Sequence, residues 1–202
     1  MEIEQVKKAF QLFASTDQRR TIPKTVFRQG DKYFATDAHA LMWIGADKIE
    51  LECETIDKPN CHEIIPKESN CNDIIDVSLL KSGLVPDMVF SFTECNTCDG
   101  DGKCHCENCN NDHDCGQCDG TGKIIDESLP KMPNPEKVFR MLGVAYEYNQ
   151  LNRLILACEL LGITHLTKTF GTPVKSSLFI NGNINFLLCP SFASENETKI
   201  TF

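Results

Sequence analysis

Apolar side chains recur at helical intervals over the first fourteen residues, with Ile3, Val6, Phe10 and Phe13 on one side and Lys7 and Lys8 on the other. That period predicts an amphipathic helix over residues 3–14, ending near Ser15-Thr16-Asp17. Beyond Pro23 the pattern shortens to strand-like runs at 25–28, 32–36, 41–44 and 48–55, and Gln29-Gly30-Asp31 and Gly45-Ala46-Asp47 supply turns between them. Residues 56–92 are less periodic; a helix is expected over 74–80 and a strand over 85–92.

The pattern resumes after residue 126. Asn134-Pro135-Glu136 offers a capping side chain followed by proline at a first helical position, and Gly143 offers a stop, so a short helix is expected between them. A longer helix is expected over 147–161, its apolar face made by Leu151, Leu154, Ile155, Cys158 and Leu161, with Gly162 as its cap. Strands follow at 164–170, 177–180 and 184–188, the last two joined by the hairpin signal Asn181-Gly182. Helix, strands, insert, helix, strands is the order of an α+β domain of two similar halves, residues 1–92 and 127–202, with a small module at 93–126 inserted between them.

The insert is where the chemistry concentrates. It holds seven of the twelve cysteines of this 202-residue chain, framed by Cys95-Asn-Thr-Cys98-Asp-Gly-Asp-Gly102 and Cys115-Gly-Gln-Cys118-Asp-Gly-Thr-Gly122. A C-x-x-C pair brings two thiolates to one ion from a tight turn, and the glycines permit the positive φ angles that such a knuckle needs. Cys95, Cys98, Cys115 and Cys118 therefore make a closed tetrahedral Zn2+ site. Cys104, Cys106 and Cys109, followed by His113, offer three thiolates and an imidazole to a second. Disulfides would require an oxidising compartment, and the start Met1-Glu-Ile-Glu-Gln-Val-Lys-Lys lacks the basic and apolar regions of a secretory signal. With 41% hydrophobic and 24% charged residues, and no apolar run of membrane-spanning length, a cytoplasmic protein is expected.

The net charge of −9 is unevenly spread: −4 over residues 1–92, −6 over 93–126 and +1 over 127–202. An ion held by four thiolates would leave about two further negative charges on the insert, which should repel phosphate.

The repeated C-x-x-C-x-G-x-G resembles the cysteine-rich module of DnaJ-type chaperones, with two repeats where that family has four. A second resemblance lies in the flanks. Tyr33-Phe34-Ala35-Thr36-Asp37-Ala38-His39-Ala40-Leu41 is similar to the A-T-D-G-H-R-L segment of bacterial DNA polymerase III beta sliding clamps, with Ala38 and Ala40 in place of glycine and arginine. Thr55-Ile-Asp57-Lys-Pro59, leading to Ile64-Ile65-Pro66-Lys67, resembles that family's aspartate-glycine-phenylalanine-proline stretch. Residues 148–192, with Gly171-Thr-Pro173 and the close Leu187-Leu188-Cys189-Pro190, are similar to the end of a clamp's last domain. Together these segments cover about half the chain, whereas a family chain carries three clamp domains.

The clamp resemblance implies helices that face duplex DNA, for which Lys7, Lys8, Arg19, Arg20 and Arg153 are the candidates, through salt-sensitive phosphate contacts. It also implies an apolar cleft for short partner peptides, onto which Thr36, His39, Leu41 and Pro190 map, and a ring that several copies would have to complete. A different class of function, a DnaJ-like protein-interaction or chaperone adaptor without DNA binding, competes with it, although the His-Pro-Asp triplet of a J domain is missing. A thiol redox role would need cysteines that zinc would occupy. Cys53, Cys61, Cys71, Cys158 and Cys189 lie outside the insert; Cys158 and Cys189 read as core residues, and Cys61-His62 with Cys71 reads as buried or free thiols or as part of a further metal site, without a paired motif. No nucleophile–base–acid trio or phosphate-cradling glycine loop occurs at recognisable spacing, so a non-enzymatic protein is expected.

Overall fold

The computed structural model describes residues 2–17, 21–106, 110–134, 137–192 and 197–201. The chain forms two compact units, Met1–Val85 with Pro135–Phe202, and Pro86–Asn134. In order, the first segment of the larger unit contains α1 (Ile3–Phe13), β1 (Phe27–Gln29), β2 (Lys32–Thr36), β3 (Ala40–Gly45), β4 (Glu54–Thr55), α2 (Cys61–Ile64), β5 (Asp73–Asp76) and α3 (Val77–Gly83). The smaller unit contains β6 (Met88–Val89), β7 (Ser91–Glu94), β8 (Lys103–Cys106), β9 (Asn111–Asp114), β10 (Lys123–Asp126) and β11 (Met132–Pro133). The second segment of the larger unit adds β12 (Val138–Met141), β13 (Val144–Glu147), α4 (Tyr148–Leu161), β14 (His165–Thr172), β15 (Lys175–Asn181), β16 (Ile184–Leu188) and β17 (Thr198–Ile200).

An eight-stranded sheet in the order β4-β1-β2-β3-β16-β15-β14-β5 organises the larger unit. Each half contributes a helix followed by three antiparallel strands, and the halves meet where β3 and β16 pair antiparallel, with Met42 opposite Phe186 and Ala40 opposite Leu188. This is an α+β arrangement of two similar halves. α1 and α4 pack together on one sheet face, where Val6, Phe10, Phe13, Leu151, Leu154 and Ile155 close over Met42, Ile44, Phe179 and Phe186. Phe27, Phe34, Leu41, Trp43, Leu178 and Leu187 form a second core on the opposite face, with Cys61 of α2. The unbroken apolar run 40–44 follows from this: alternate side chains of β3 enter different cores, so both faces of the strand are buried.

α4 carries its own boundaries. Glu147 and Gln150 make a reciprocal capping box, and Gly162, at φ 67°, ends the helix in the left-handed region.

Three expected elements differ. The segment expected as a helix up to Gly143 is a hairpin: Val138–Met141 pairs with Val144–Glu147 about Leu142 and Gly143, whose φ angles are 49° and 80°. Two positive φ angles in a two-residue loop give the primed turn that matches strand twist. Fully burying Phe139 and Met141 between β13 and the parallel β17 outweighs the weak stability of so short a helix. Pro135 and Glu136 lie outside the described residues. Within 74–80, Ile75 pairs with Leu166 as edge strand, and helix begins only after Asp76, whose carboxylate accepts from the N–H groups of Ser78 and Leu79. Over 48–55 only Glu54–Thr55 is strand; Leu51 is buried instead by a loop, its N–H donating to Tyr33 Oη at 3.2 Å.

The smaller unit extends beyond the cysteine repeats. β7 pairs with β10 and β6 with β11, so residues on both sides of the repeats zip into a stem. No helix among the described residues is long and apolar enough to cross a membrane.

Candidate functional site

The two repeats fold alike. In each, the fourth residue donates its N–H to the first carbonyl (Cys98 to Cys95, Cys118 to Cys115, both 3.3 Å), and the sixth does the same (Gly100 and Gly120, both 3.2 Å). Asp99 and Gly100 take φ 48° and 81°, and Asp119 and Gly120 take 49° and 77°. The knuckles then interlock, Cys95 N–H donating to Gly122 O at 2.9 Å and Cys115 N–H to Gly102 O at 2.8 Å. A side chain on Gly102 would place Cβ 2.2 Å from Gly120 O, and one on Gly122 would place it 2.0 Å from Gly100 O. Only glycine fits where the two backbones cross.

The interlock gathers Cys95, Cys98, Cys115 and Cys118 in the interior of the unit, none more than 7% exposed. Their sulfurs all lie within 4.8 Å of one another, with Cys95–Cys115 and Cys98–Cys118 at 3.8 Å. A tetrahedral ion with sulfurs about 2.3 Å away requires sulfur–sulfur edges of about 3.8 Å, whereas a disulfide would bring a pair to about 2.0 Å. Backbone N–H groups already point at two of the sulfurs, Gly102 at Cys98 and Gly122 at Cys118, both 3.2 Å. Four thiols this close cannot all ionise unaided. Burial, reinforced by the neighbouring thiols, pushes Cys98 up to about 12, while N–H groups led by that of Gln117 hold Cys115 down to about 6. This buried four-cysteine group is suited to holding a metal ion.

Among the described residues it is the one group of three or more histidine, cysteine or acidic side chains whose ligand atoms come close enough to share an ion. Cys104 stands opposite His113 in the β8–β9 ladder, and Cys106 opposite Asn111. Cys104 packs against the four-cysteine cluster itself, and Cys109 lies outside the described residues.

Candidates in the larger unit are dispersed. Lys8 is exposed, and the Lys7 side chain is 45% exposed, its ammonium 3.6 Å from Glu4. Arg19 and Arg20 lie outside the described residues. Arg153 is not held out to solvent: its Nη1 lies 2.6 Å from Asp37 Oδ2, and its guanidinium sits over the Phe13 ring.

Nor do the four cleft candidates line one surface. Thr36 is buried, its hydroxyl donating to Ala40 O at 2.7 Å, and Leu41 is in the second core. His39 is exposed beside a polar recess with Asp37, Gln150 and Arg153. Pro190 does line an apolar groove of about 920 Å3, together with Ile64, Ile65, Pro66, Phe170, Val174 and Phe192. Val174 is 84% and Phe192 96% exposed, so the groove presents large apolar side chains to water. The sequence signal for these residues was weak: single apolar residues around Pro66, Pro173 and Pro190, far apart in the chain. Pairing of β3 with β16 does bring the 36–41 turn beside Cys189, whose N–H donates to His39 O at 2.9 Å.

No protein-family model matches the chain, and no curated protein matches it. Solved structures do. DNA polymerase III subunit beta from Borrelia burgdorferi, in complex with a natural product, matches with a TM-score of 0.52 and 12% identity over 95% of this chain and 61% of that one. The DNA polymerase sliding clamp from Caulobacter crescentus gives 0.51 and 11% over 96% and 65%. The Helicobacter pylori beta clamp bound to a DNA ligase peptide gives 0.50 and 12% over 93% and 62%. The chain thus has the sliding-clamp fold and spans less than two thirds of the length of those structures.

Proposed function

We propose that this chain is a non-enzymatic, sliding-clamp-like accessory protein of DNA replication or repair, carrying a zinc-bearing unit for contact with other proteins. The observation that carries it is the joining of two helix-plus-three-strand halves through β3 and β16 with α1 and α4 side by side, in a fold shared with bacterial beta clamps. On this reading the helices approach duplex DNA, and Lys7 and Lys8 make phosphate contacts independent of base sequence. Arg153 takes no part, because its charge is committed to Asp37.

The Pro190 groove takes an apolar partner peptide. Because the chain spans less than two thirds of the clamps it resembles, a closed ring would need several copies.

Cys95, Cys98, Cys115 and Cys118 hold one Zn2+, for which the sulfur spacing fits. The ion supplies a cross-link between the knuckles and no reaction chemistry. With four protein ligands it has no open position for substrate, and the role of the chain's own residues is to exclude water and orient the sulfurs.

The test is binding to duplex DNA with and without added salt. Binding that weakens steeply with salt and is lost in the Lys7→Glu/Lys8→Glu protein supports the clamp reading; binding insensitive to both removes it and leaves a zinc-module adaptor. Solution mass at rising concentration reports whether copies assemble.

A further inference from the structure

The stem of the smaller unit exposes apolar surface that its metal centre does not use. Met88, Phe90, Phe92, Ile125, Leu129 and Met132 are each 39–54% exposed. Phe92 and Ile125 stand directly opposite each other in the β7–β10 ladder. Their neighbours Thr93 and Ile124, also paired, face the other way, and it is Ile124 that packs against the four cysteines. By the period of two along a strand, the Phe92–Ile125 pair therefore lies on the face turned away from the metal centre. A cross-strand aromatic–aliphatic pair left in water on so small a unit marks an interaction site.

Charge decides what can cover it. Residues 86–134 contain ten acidic and three basic residues, a net charge of −7 before any metal, against −9 for the whole chain. Of the three cations, Lys123 stands opposite Glu94 in the ladder and Lys131 lies over the Phe90 ring at 4.5 Å, while Asp126 and Glu127 follow Ile125 directly. A nucleic acid or an anionic membrane would be repelled, and a second copy would bring a like-charged unit to the same face.

We propose that this stem face docks a basic, apolar segment of a partner protein, one in which lysine or arginine alternates with leucine-like side chains. The segment's apolar groups cover Phe92 and Ile125, and its cations are attracted by the net negative charge of the unit, which steers encounter and rejects acidic competitors. The proposal deepens the protein-contact role given above to the zinc-bearing unit and rests on that unit being folded.

The test uses the full-length, metal-loaded chain and three fluorescent synthetic peptides: alternating lysine and leucine, the same with glutamate for lysine, and the same with serine for leucine. The lysine–leucine peptide should bind, both controls should bind about tenfold or more weakly, and added salt should weaken the complex. Phe92→Ser/Ile125→Ser should weaken binding about tenfold or more with zinc content and circular dichroism unchanged. Should that variant lose its zinc, Glu127→Lys, which leaves the apolar pair intact, should still lower affinity severalfold. Equal binding of all three peptides, or wild-type affinity in folded variants, overturns the proposal. Peptide failure with salt-sensitive DNA binding intact overturns only this inference; loss of DNA binding with peptide binding intact overturns only the clamp reading; a chain without zinc overturns only the metal assignment.

Discussion

Arg153, in the long helix of the second half, places Nη1 2.6 Å from Oδ2 of Asp37 in the turn between β2 and β3 of the first half. The other Asp37 oxygen accepts from the N–H groups of His39 at 2.9 Å and Ala40 at 2.8 Å, so one carboxylate shapes the turn and ties the halves together. Burial alone would raise the Asp37 pKa. The charge of Arg153, its hydrogen bond and the two backbone N–H groups outweigh burial and hold the carboxyl below the usual carboxylate range.

The sign follows. A depressed folded-state pKa contributes stability above the unfolded value, about 3.9, and loses it as pH falls through the lower folded value. Asp37→Asn should therefore destabilise the protein by about 1–2 kcal/mol at neutral pH, a range discounted for the partial exposure of the pair. Urea unfolding should show the gap from wild type closing in strong acid; a gap constant with pH would remove the ion pair as its cause.

Metal analysis of untagged protein should find zinc, and Cys95→Ser or Cys118→Ser should release it, because each removes one of four converging sulfurs. Lowering pH should release zinc as well, since protons compete for the thiolates. Proteolysis after chelation should cut first within residues 86–134, leaving the larger unit with its own cores. Simultaneous loss of both units would contradict this independence.

Glycines of the knuckles should differ sharply in tolerance. Gly102→Ala and Gly122→Ala each combine a positive φ with a Cβ driven into backbone carbonyl, and should weaken metal retention by about 2 kcal/mol or more. Gly116→Ala, with nothing within 4 Å of the added carbon, should change it by less than about 0.5 kcal/mol. A competition titration with a chelator measures both, and equal effects would mean that the crossing of the two backbones does not limit the site.

Leu41 and Phe192 should separate stability from binding. Leu41→Ala empties part of the second core and should cost about 2–5 kcal/mol in unfolding free energy. Phe192→Ser alters a side chain already 96% exposed; stability should stay within about 0.5 kcal/mol while binding of an apolar peptide to the groove falls. Unchanged peptide binding in Phe192→Ser would move the partner site elsewhere.

Much of the architecture was legible because it is local. The 3.6-residue period of α1 and α4, the αL glycine after Leu161 and the turns at Gly30 and Gly182 are written within a few residues of where they act. The stretch up to Gly143 misled for the same reason: its helix-start signal is local, whereas the hairpin that replaces it depends on β17, more than fifty residues away in the chain. Arg153 was equally ambiguous, since a cation on a helix reads as solvent-facing until the turn carrying Asp37 arrives from the other half.

The sequence by itself determined the knuckles and the two-half order of elements, because C-x-x-C spacing, glycine freedom and helical or strand period are short-range constraints. Only the tertiary structure decided that the four sulfurs lie within 4.8 Å of one another, that Thr36 and Leu41 are interior while Phe170, Val174, Pro190 and Phe192 share a groove, and that Phe92 and Ile125 face away from the metal centre. Those relations are set by strand pairing between residues far apart in the chain, where a shift of one residue exchanges the buried face for the exposed one.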